Sequence, residues 1–559
     1  MKSLNSCVIW LCMMIGGAFT LPAQTLPPGP QVLTFFSDLD DTEQPYSVYI
    51  PQNYDETKKY PLVVMLHGAG SNHRLALRRV FGKSNFADET DVEASRYFPE
   101  WKDVGYIVVA PYARGTAGYQ GFVEKDVLDM LADVKHRFTI DENRMYLTGL
   151  SMGGGGTLWI GLSHPDLWAA IAPVCPALPP GTEALAPNAL NMAVQFVHGD
   201  ADPTVPVSIS RDWVAKLKTM DSPVVDYLEL PGVNHWSWVG AYEDGRIFDW
   251  FSKFTRNPFP DRVRHVSYDL KHGKSYWVRM DEKSPGEVAL IDAVISDMNN
   301  TVEIKTSNLT AFTLLLEDHP KVSAKHPLQI SINGQLLSNV PLRDISFSFS
   351  PMELQWFSRQ SAQNTRHKRI GLEGPIEDAF ASRHIYVYGT ADNPTPDIWK
   401  ARLDTVLKAA DWSAYRGEFL GRVKFYPRVL ADRELRKSDY ESANLILFGT
   451  AESNRVIAEY ASELPLHLNP EAAKEYGLTY IFPNIYSHYV VVSSGLPWWR
   501  ARDNSGWRYF PEVHTSLSSF QDFILFKRDK TMIAEGYFSH DWKLTAEMKT
   551  LLMDSGVVR

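Results

Sequence analysis

The pentapeptide Gly149-Leu150-Ser151-Met152-Gly153 constrains the fold more than any other feature of this chain. An apolar run, Met145-Tyr146-Leu147, leads into it, and the small residues Gly153 to Gly156 lead out into Thr157-Leu158-Trp159-Ile160. That order reads as strand, sharp turn and helix. Glycines on both sides let the strand and helix backbones crowd together, so the serine between them can hold unfavourable dihedrals with its hydroxyl lifted above a sheet edge. An ordinary glycine-rich turn would use the same residue types; the flanking strand and helix separate the two readings.

From Tyr46 to about Phe254, short apolar strands alternate with helical stretches, the pattern of a parallel sheet covered on both faces. The expected strands are Leu62 to Leu66, Ile107 to Ala110, Arg144 to Leu147, Ala170 to Pro173 and Val194 to Val197. Between the second and third, Val127, Leu128, Leu131, Val134 and Phe138 recur at helical spacing and mark one buried stripe.

Asn257-Pro258-Phe259-Pro260 reads as a boundary, after which the helical period disappears. Val266 to Leu270, Ser275 to Arg279, Val302 to Ile304 and Leu328 to Ile332 alternate with period two, with turns at His272-Gly273 and Asn333-Gly334, so a small antiparallel β domain is expected over 257–358. Beyond Gly374-Pro375 the strand Ile385 to Tyr388 with its Gly389-Thr390-Ala391 turn is echoed by Leu445 to Phe448 with Gly449-Thr450-Ala451, which predicts a second α/β domain over 375–559. Neither turn has a phosphate-binding glycine pattern.

The N-terminus has the form of a signal peptide over 1–23: Lys2, an apolar run from Cys7 to Phe19, and an exit with cleavage expected near Ala23. The run is shorter than the roughly 20 residues of a membrane span, so export to the periplasm or medium without stable membrane insertion is expected. Only Cys175 lies past the leader, and a fold without internal disulfides follows. The net charge of −10 and the lack of a basic block argue against nucleic acid as a partner.

A serine hydroxyl needs an imidazole to take its proton and a carboxylate to fix that imidazole's tautomer. Downstream of the Val194 strand comes His198-Gly199-Asp200-Ala201-Asp202, in which Asp202 lies past the turn while Asp200 is read as capping its own loop. His235 follows the strand Tyr227 to Leu230 in the loop Gly232-Val233-Asn234-His235-Trp236 and is the expected general base for Ser151. An oxyanion needs two amides, one from Met152 after the serine and one from the loop His67-Gly68-Ala69-Gly70, for which Ala69 is the choice. His67 itself is read as support, Cys175 as a small buried hydrophobe, and Trp236 as a candidate wall for a substrate acyl group. No H-E-x-x-H, G-x-G-x-x-G or Walker-type pattern occurs, so neither a metal nor a cofactor is implied.

Together, His67 to Gly70, Gly149 to Gly153, His198 to Val205 and Gly232 to Trp236 resemble the secreted feruloyl esterase, acetylxylan esterase and polyhydroxybutyrate depolymerase group, also labelled prolyl-oligopeptidase-like, over roughly residues 30–256. The resemblance implies an α/β-hydrolase catalytic domain, a Ser151–Asp202–His235 triad, an oxyanion hole from Ala69 and Met152, and esters carried on small molecules or polysaccharide. A serine peptidase is the competing enzyme class, because the triad alone does not set the acyl substrate. A carbohydrate-binding protein with a vestigial hydrolase domain is the third reading, drawn from Trp236, Trp238, Trp498 and Trp499.

Overall fold

The computed structural model describes residues 26–220, 224–296, 300–323, 325–342, 345–359, 367–412, 424–503 and 511–559. The leader expected over 1–23 lies outside the described residues. Among those described, no helix is long and apolar enough to cross a membrane.

The first sheet has eight strands: β1 (Gly29–Ser37), β2 (Thr42–Ile50), β3 (Tyr60–Leu66), β4 (Ile107–Pro111), β5 (Ile140–Leu150), β6 (Ala170–Val174), β7 (Ala193–Gly199) and β8 (Val225–Leu230). Their order is β1-β2-β4-β3-β5-β6-β7-β8. The hairpin β1–β2 joins β4 antiparallel, and every later pair is parallel. Central strands feed both faces: Leu62, Val64 and Leu66 pack with the helices Phe122–Arg137 and Met152–Ser163, while Val63 and Met65 pack with His73–Val80 and Arg246–Phe251. Such burial, worth about 1.5–3 kcal/mol per large aliphatic side chain, explains why these strands read as unbroken apolar runs.

Two five-stranded sheets follow, built from β9 (Arg262–Ser267), β10 (Lys274–Ser275), β11 (Val278–Lys283), β12 (Ala289–Ile295), β13 (Thr301–Ser307), β14 (Leu309–Leu314), β15 (Leu328–Ile332), β16 (Gln335–Val340), β17 (Ser346–Ser350) and β18 (Gln355–Arg359). Their orders are β10-β11-β14-β17-β18 and β16-β15-β13-β12-β9. The sheets share one core, in which Met280, Phe312, Phe347 and Trp356 meet Val263, Ile291, Val302 and Ile330. Three expectations are corrected here. β13 and β15 pair in parallel, so the unit is not purely antiparallel. The run Ser275 to Arg279 is no continuous strand: the chain reverses at Tyr276, whose φ is 50°, and both aromatics turn inward, Trp277 Nε1–H donating to Pro260 O at 2.7 Å. Likewise β9 ends at Ser267, and Tyr268 to Leu270 continue as a turn.

The last sheet comprises β19 (His384–Tyr388), β20 (Arg428–Ala431), β21 (Asn444–Phe448), β22 (Tyr476–Pro483), β23 (Tyr489–Gly495), β24 (Phe523–Lys527) and β25 (Met532–Gly536), in the order β20-β19-β21-β23-β22-β24-β25. The two echoing segments are its neighbouring parallel strands β19 and β21, with His384 opposite Asn444.

Candidate functional site

Ser151 follows the last residue of β5 and stands at the N-cap of the helix Met152–Ser163 with φ 55° and ψ −116°. It is held there by its own backbone: its N–H donates to Val174 O at 2.9 Å, and its carbonyl accepts from Gly155 N and Ala177 N, each at 3.0 Å. Unlike most N-cap serines its hydroxyl makes no helix-capping bond. The hydroxyl is thereby left for another partner.

That turn is possible only without Cβ atoms at its flanks. A Cβ on Gly149 would lie 2.3 Å from Gly153 O, and one on Gly153 would lie 2.2 Å from Leu66 O and 2.7 Å from His67 O. The helix thus sits directly on the end of β3, and this contact brings the loop after β3 to the serine. A Cβ on Gly68 would reach to 3.5 Å from Ser151 Cβ.

Ser151 Oγ–H donates to His235 Nε2 at 3.0 Å, and His235 Nδ1–H donates to Asp202 Oδ2 at 2.7 Å. The Asp202 side chain is fully buried, whereas that of His235 is 19% exposed, so the relay opens outward on the imidazole side. Burial works to raise the Asp202 pKa. Donation from His235 and from the amides of Val205 and Thr204 outweighs it and holds the carboxyl below its ordinary value. A carboxylate fixed as the anion keeps Nδ1 protonated and Nε2 free to accept, which is the form a base toward Ser151 requires.

Three neighbours hold this geometry that sequence order did not single out. His198 Nε2 lies 3.3 Å from Asp202 Oδ2, and burial pushes the His198 pKa down, so it sits beside the carboxylate as a neutral ring. Ser237 Oγ accepts from Gly199 N at 2.9 Å and ties the His235 loop to the end of β7. Asp200, expected to cap its own loop, instead accepts from Gly232 N at 2.6 Å across the gap to that same loop. The carboxylate binding its own following amides is Asp202. A D-x-D run leaves both assignments open in sequence, since each carboxylate has amides two and three residues ahead.

Met152 is the first residue of the helix, so its amide has no intrahelical acceptor. The amides of Ala69 and Met152 meet no acceptor among the described residues. The Ala69 loop is braced from behind: Gly70 N–H donates to Thr116 Oγ1 at 2.7 Å, and the buried ring of His67 has its nitrogens 2.8 Å from Gly68 O and Tyr112 O. Burial lowers the His67 pKa, with the two backbone carbonyls working against that shift. The bracing loop is pinned by Arg114, whose fully buried guanidinium donates to Asp40 Oδ2 at 2.6 Å, to Ser37 Oγ at 2.8 Å and to Asp126.

Trp236 is 63% exposed beside His235, and Trp238 meets the His235 ring edge-on at 5.9 Å between centroids. Cys175 is buried behind the site with φ 36°, its Sγ 3.6 Å from His235 O, and burial raises its thiol pKa to about 12. Such a thiol is neutral and packs as a small hydrophobe. Among the described residues two groups bring possible metal-ligand atoms within 4.8 Å of one another, Cys175–Asp202–His235 and Glu124–His164–His272.

Residues 39–224 match the family model described as "Putative esterase". Over 205 residues the chain is 30% identical to the poly(3-hydroxybutyrate) depolymerase of Ralstonia pickettii, covering 32% of this chain and 38% of the relative. It is 24% identical over 213 residues to a "Probable feruloyl esterase C" of Aspergillus oryzae, covering 38% and 73%. A shorter match, 36% identical over 73 residues, is to the dipeptidyl-peptidase 5 of Aspergillus fumigatus, covering 13% of this chain and only 8% of the relative.

Proposed function

We propose that this chain, whose residues 39–224 match that esterase family model, is a serine carboxylic-ester hydrolase working through an acyl-enzyme. The observation that carries the reading is the unbroken hydrogen-bond relay from Ser151 through His235 to Asp202, at 3.0 and 2.7 Å. Ser151 Oγ attacks the ester carbonyl carbon while its proton passes to His235 Nε2, and the imidazolium is stabilised by Asp202. The oxyanion of the tetrahedral intermediate accepts from the amides of Ala69 and Met152. Collapse breaks the bond to the alcohol oxygen, which takes the proton from His235 and leaves the acyl group on Ser151. Water, deprotonated by His235, then attacks the acyl carbon and releases the acid with Ser151 restored.

Feruloyl or acetyl esters of plant polysaccharide are the proposed substrates, met outside the cytoplasm after cleavage near Ala23. Trp236, exposed beside the base, is the proposed wall for the acyl group. The segments 257–358 and 375–559 are proposed as accessory units on the catalytic one.

Purified enzyme should hydrolyse p-nitrophenyl acetate, and Ser151→Ala should lower kcat by about 10⁴-fold or more while its circular dichroism is unchanged. Activity persisting in that variant sinks the assignment. A panel of methyl ferulate, acetylated xylan, hydroxybutyrate oligomers and a prolyl peptide then ranks the substrates. The dipeptidyl-peptidase match gives the peptide its place there, and a kcat/KM highest on it replaces the esterase reading with a peptidase one.

A further inference from the structure

The helix that begins at Ser151 ends against a second cluster. Glu124, in the first turn of the helix Phe122–Arg137, places Oε1 2.8 Å from His164 Nε2 and 2.7 Å from His272 Nε2. His164 caps the C-terminus of the helix Met152–Ser163, and His272 comes from the connection between β9 and β10. The donors lie 40 and 148 residues from Glu124 in sequence, so no local spacing could announce them.

We propose that Glu124, His164 and His272 bind one zinc ion that fastens the two helices to the Asp269–His272 turn. Two imidazoles and one carboxylate, with all ligand atoms within 4.8 Å, are a zinc donor set, and a water completes the tetrahedron. The donors are also aimed from outside, as metal ligands usually are. His272 Nδ1–H donates to Asp269 Oδ1 at 2.9 Å, which turns Nε2 toward the cluster. Trp159 Nε1–H donates to Glu124 Oε2 at 2.9 Å, which leaves Oε1 to face both imidazoles. In the ion-free chain Oε1 accepts from both rings, and the ion takes the place of those two hydrogens, His272 releasing its Nε2 proton to solvent and His164 carrying its proton on Nδ1. Glu124 and His272 are buried, while the His164 side chain is 18% exposed and marks the way in for ion and water. The helix of 12 residues between Ser151 and His164 spans about 18 Å, so this site stands apart from the proposed triad.

The full-length protein, stripped with a chelator and dialysed, is titrated with Zn²⁺ by calorimetry, and its metal content and melting temperature are measured before and after. One equivalent per chain and a higher melting temperature are expected, with binding weakened by about tenfold or more in Glu124→Gln and His164→Gln. Hydrolysis of p-nitrophenyl acetate should be unchanged in His164→Gln. This substitution, at the most open of the three positions, guards against Glu124→Gln simply failing to fold. Absence of bound zinc in the wild type, or equal affinity in wild type and His164→Gln, overturns the proposal. So does zinc lost in His235→Gln but kept in His164→Gln, because that places the ion at Cys175, Asp202 and His235.

Discussion

Replacing Gly153 by alanine tests whether the close seating of the helix on β3 positions the reacting groups. The added Cβ would meet Leu66 O at 2.2 Å, where ordinary contact begins at 3.4 Å, so helix and strand must part by 1.2 Å (3.4 − 2.2). Both atoms it meets first, Leu66 O and C, are backbone, and no rotamer change relieves the clash. Overpacking of this kind costs about 1–3 kcal/mol of stability. The movement would also separate Ser151 from the Ala69 loop, and a displacement of about 1 Å costs on the order of 100-fold in rate. Gly161→Ala, two turns along the same helix, is the control: its Cβ would meet only side-chain atoms of Ile171, Cδ1 at 2.9 Å and Cγ2 at 3.1 Å, which can give by a few tenths of an ångström without moving backbone, and alanine favours helix by about 1 kcal/mol. The assay is kcat/KM on p-nitrophenyl acetate with denaturant melts on the same samples. Gly153→Ala should lose about two orders of magnitude and Gly161→Ala almost nothing. A Gly153→Ala enzyme within about threefold of wild type, or equal losses in both variants, would falsify the positioning role assigned to this contact.

Arg114→Met should destabilise by about 3–5 kcal/mol in urea melts, because Asp40 and Asp126 would stay buried without their cation; a change under about 1 kcal/mol refutes this. His384 and His514 make a pH prediction: burial holds their pKa values at about 4 and about 3, with Asp40 and Asp411 only partly offsetting it. His384 Nε2 and His514 Nδ1 are buried and meet no hydrogen-bond partner among the described residues, in keeping with rings that fold neutral. The unfolded chain takes up protons below about 6.5, so the contribution is full above that pH and lost as pH falls toward 4, by about 1.4 kcal/mol per unit per histidine. Melts between pH 8 and 5 should show a shallower acid loss in His514→Gln than in wild type, and parallel curves would refute the neutral-ring assignment.

The parts legible in sequence are those whose signal is local. The five strands from Leu62 to Val197 were readable because each is buried on both faces, and Ser151 because its turn demands glycine within two residues on either side. His235 and Asp202 are singled out in sequence by their order behind strands, and the fold places both in one hydrogen-bond relay with Ser151. What escaped depends on direction or distance. Period-two alternation at Val302 and Leu328 reports one buried face but not which way the neighbouring strand runs, so the parallel β13–β15 pair was invisible. Tyr276 and Trp277 extend an apparent strand because turning inward at a reversal also buries aromatics. Arg114 among two carboxylates and Glu124 between two imidazoles carry no pattern until the chain is folded.

The loop that braces the Ala69 turn is itself overlaid by a distant part of the chain. Lys424 N–H donates to Arg114 O at 3.2 Å, Tyr426 N–H donates to Asp40 Oδ2 at 3.0 Å, and Phe425 stacks on Phe122 at 4.5 Å between centroids. The eight-stranded sheet is therefore not a cassette. A protein engineer who trimmed the chain to its esterase-like segment would uncover Phe122 and loosen the Arg114 loop. Any graft of the Ser151 relay onto another scaffold has to carry the strip around Phe425 with it.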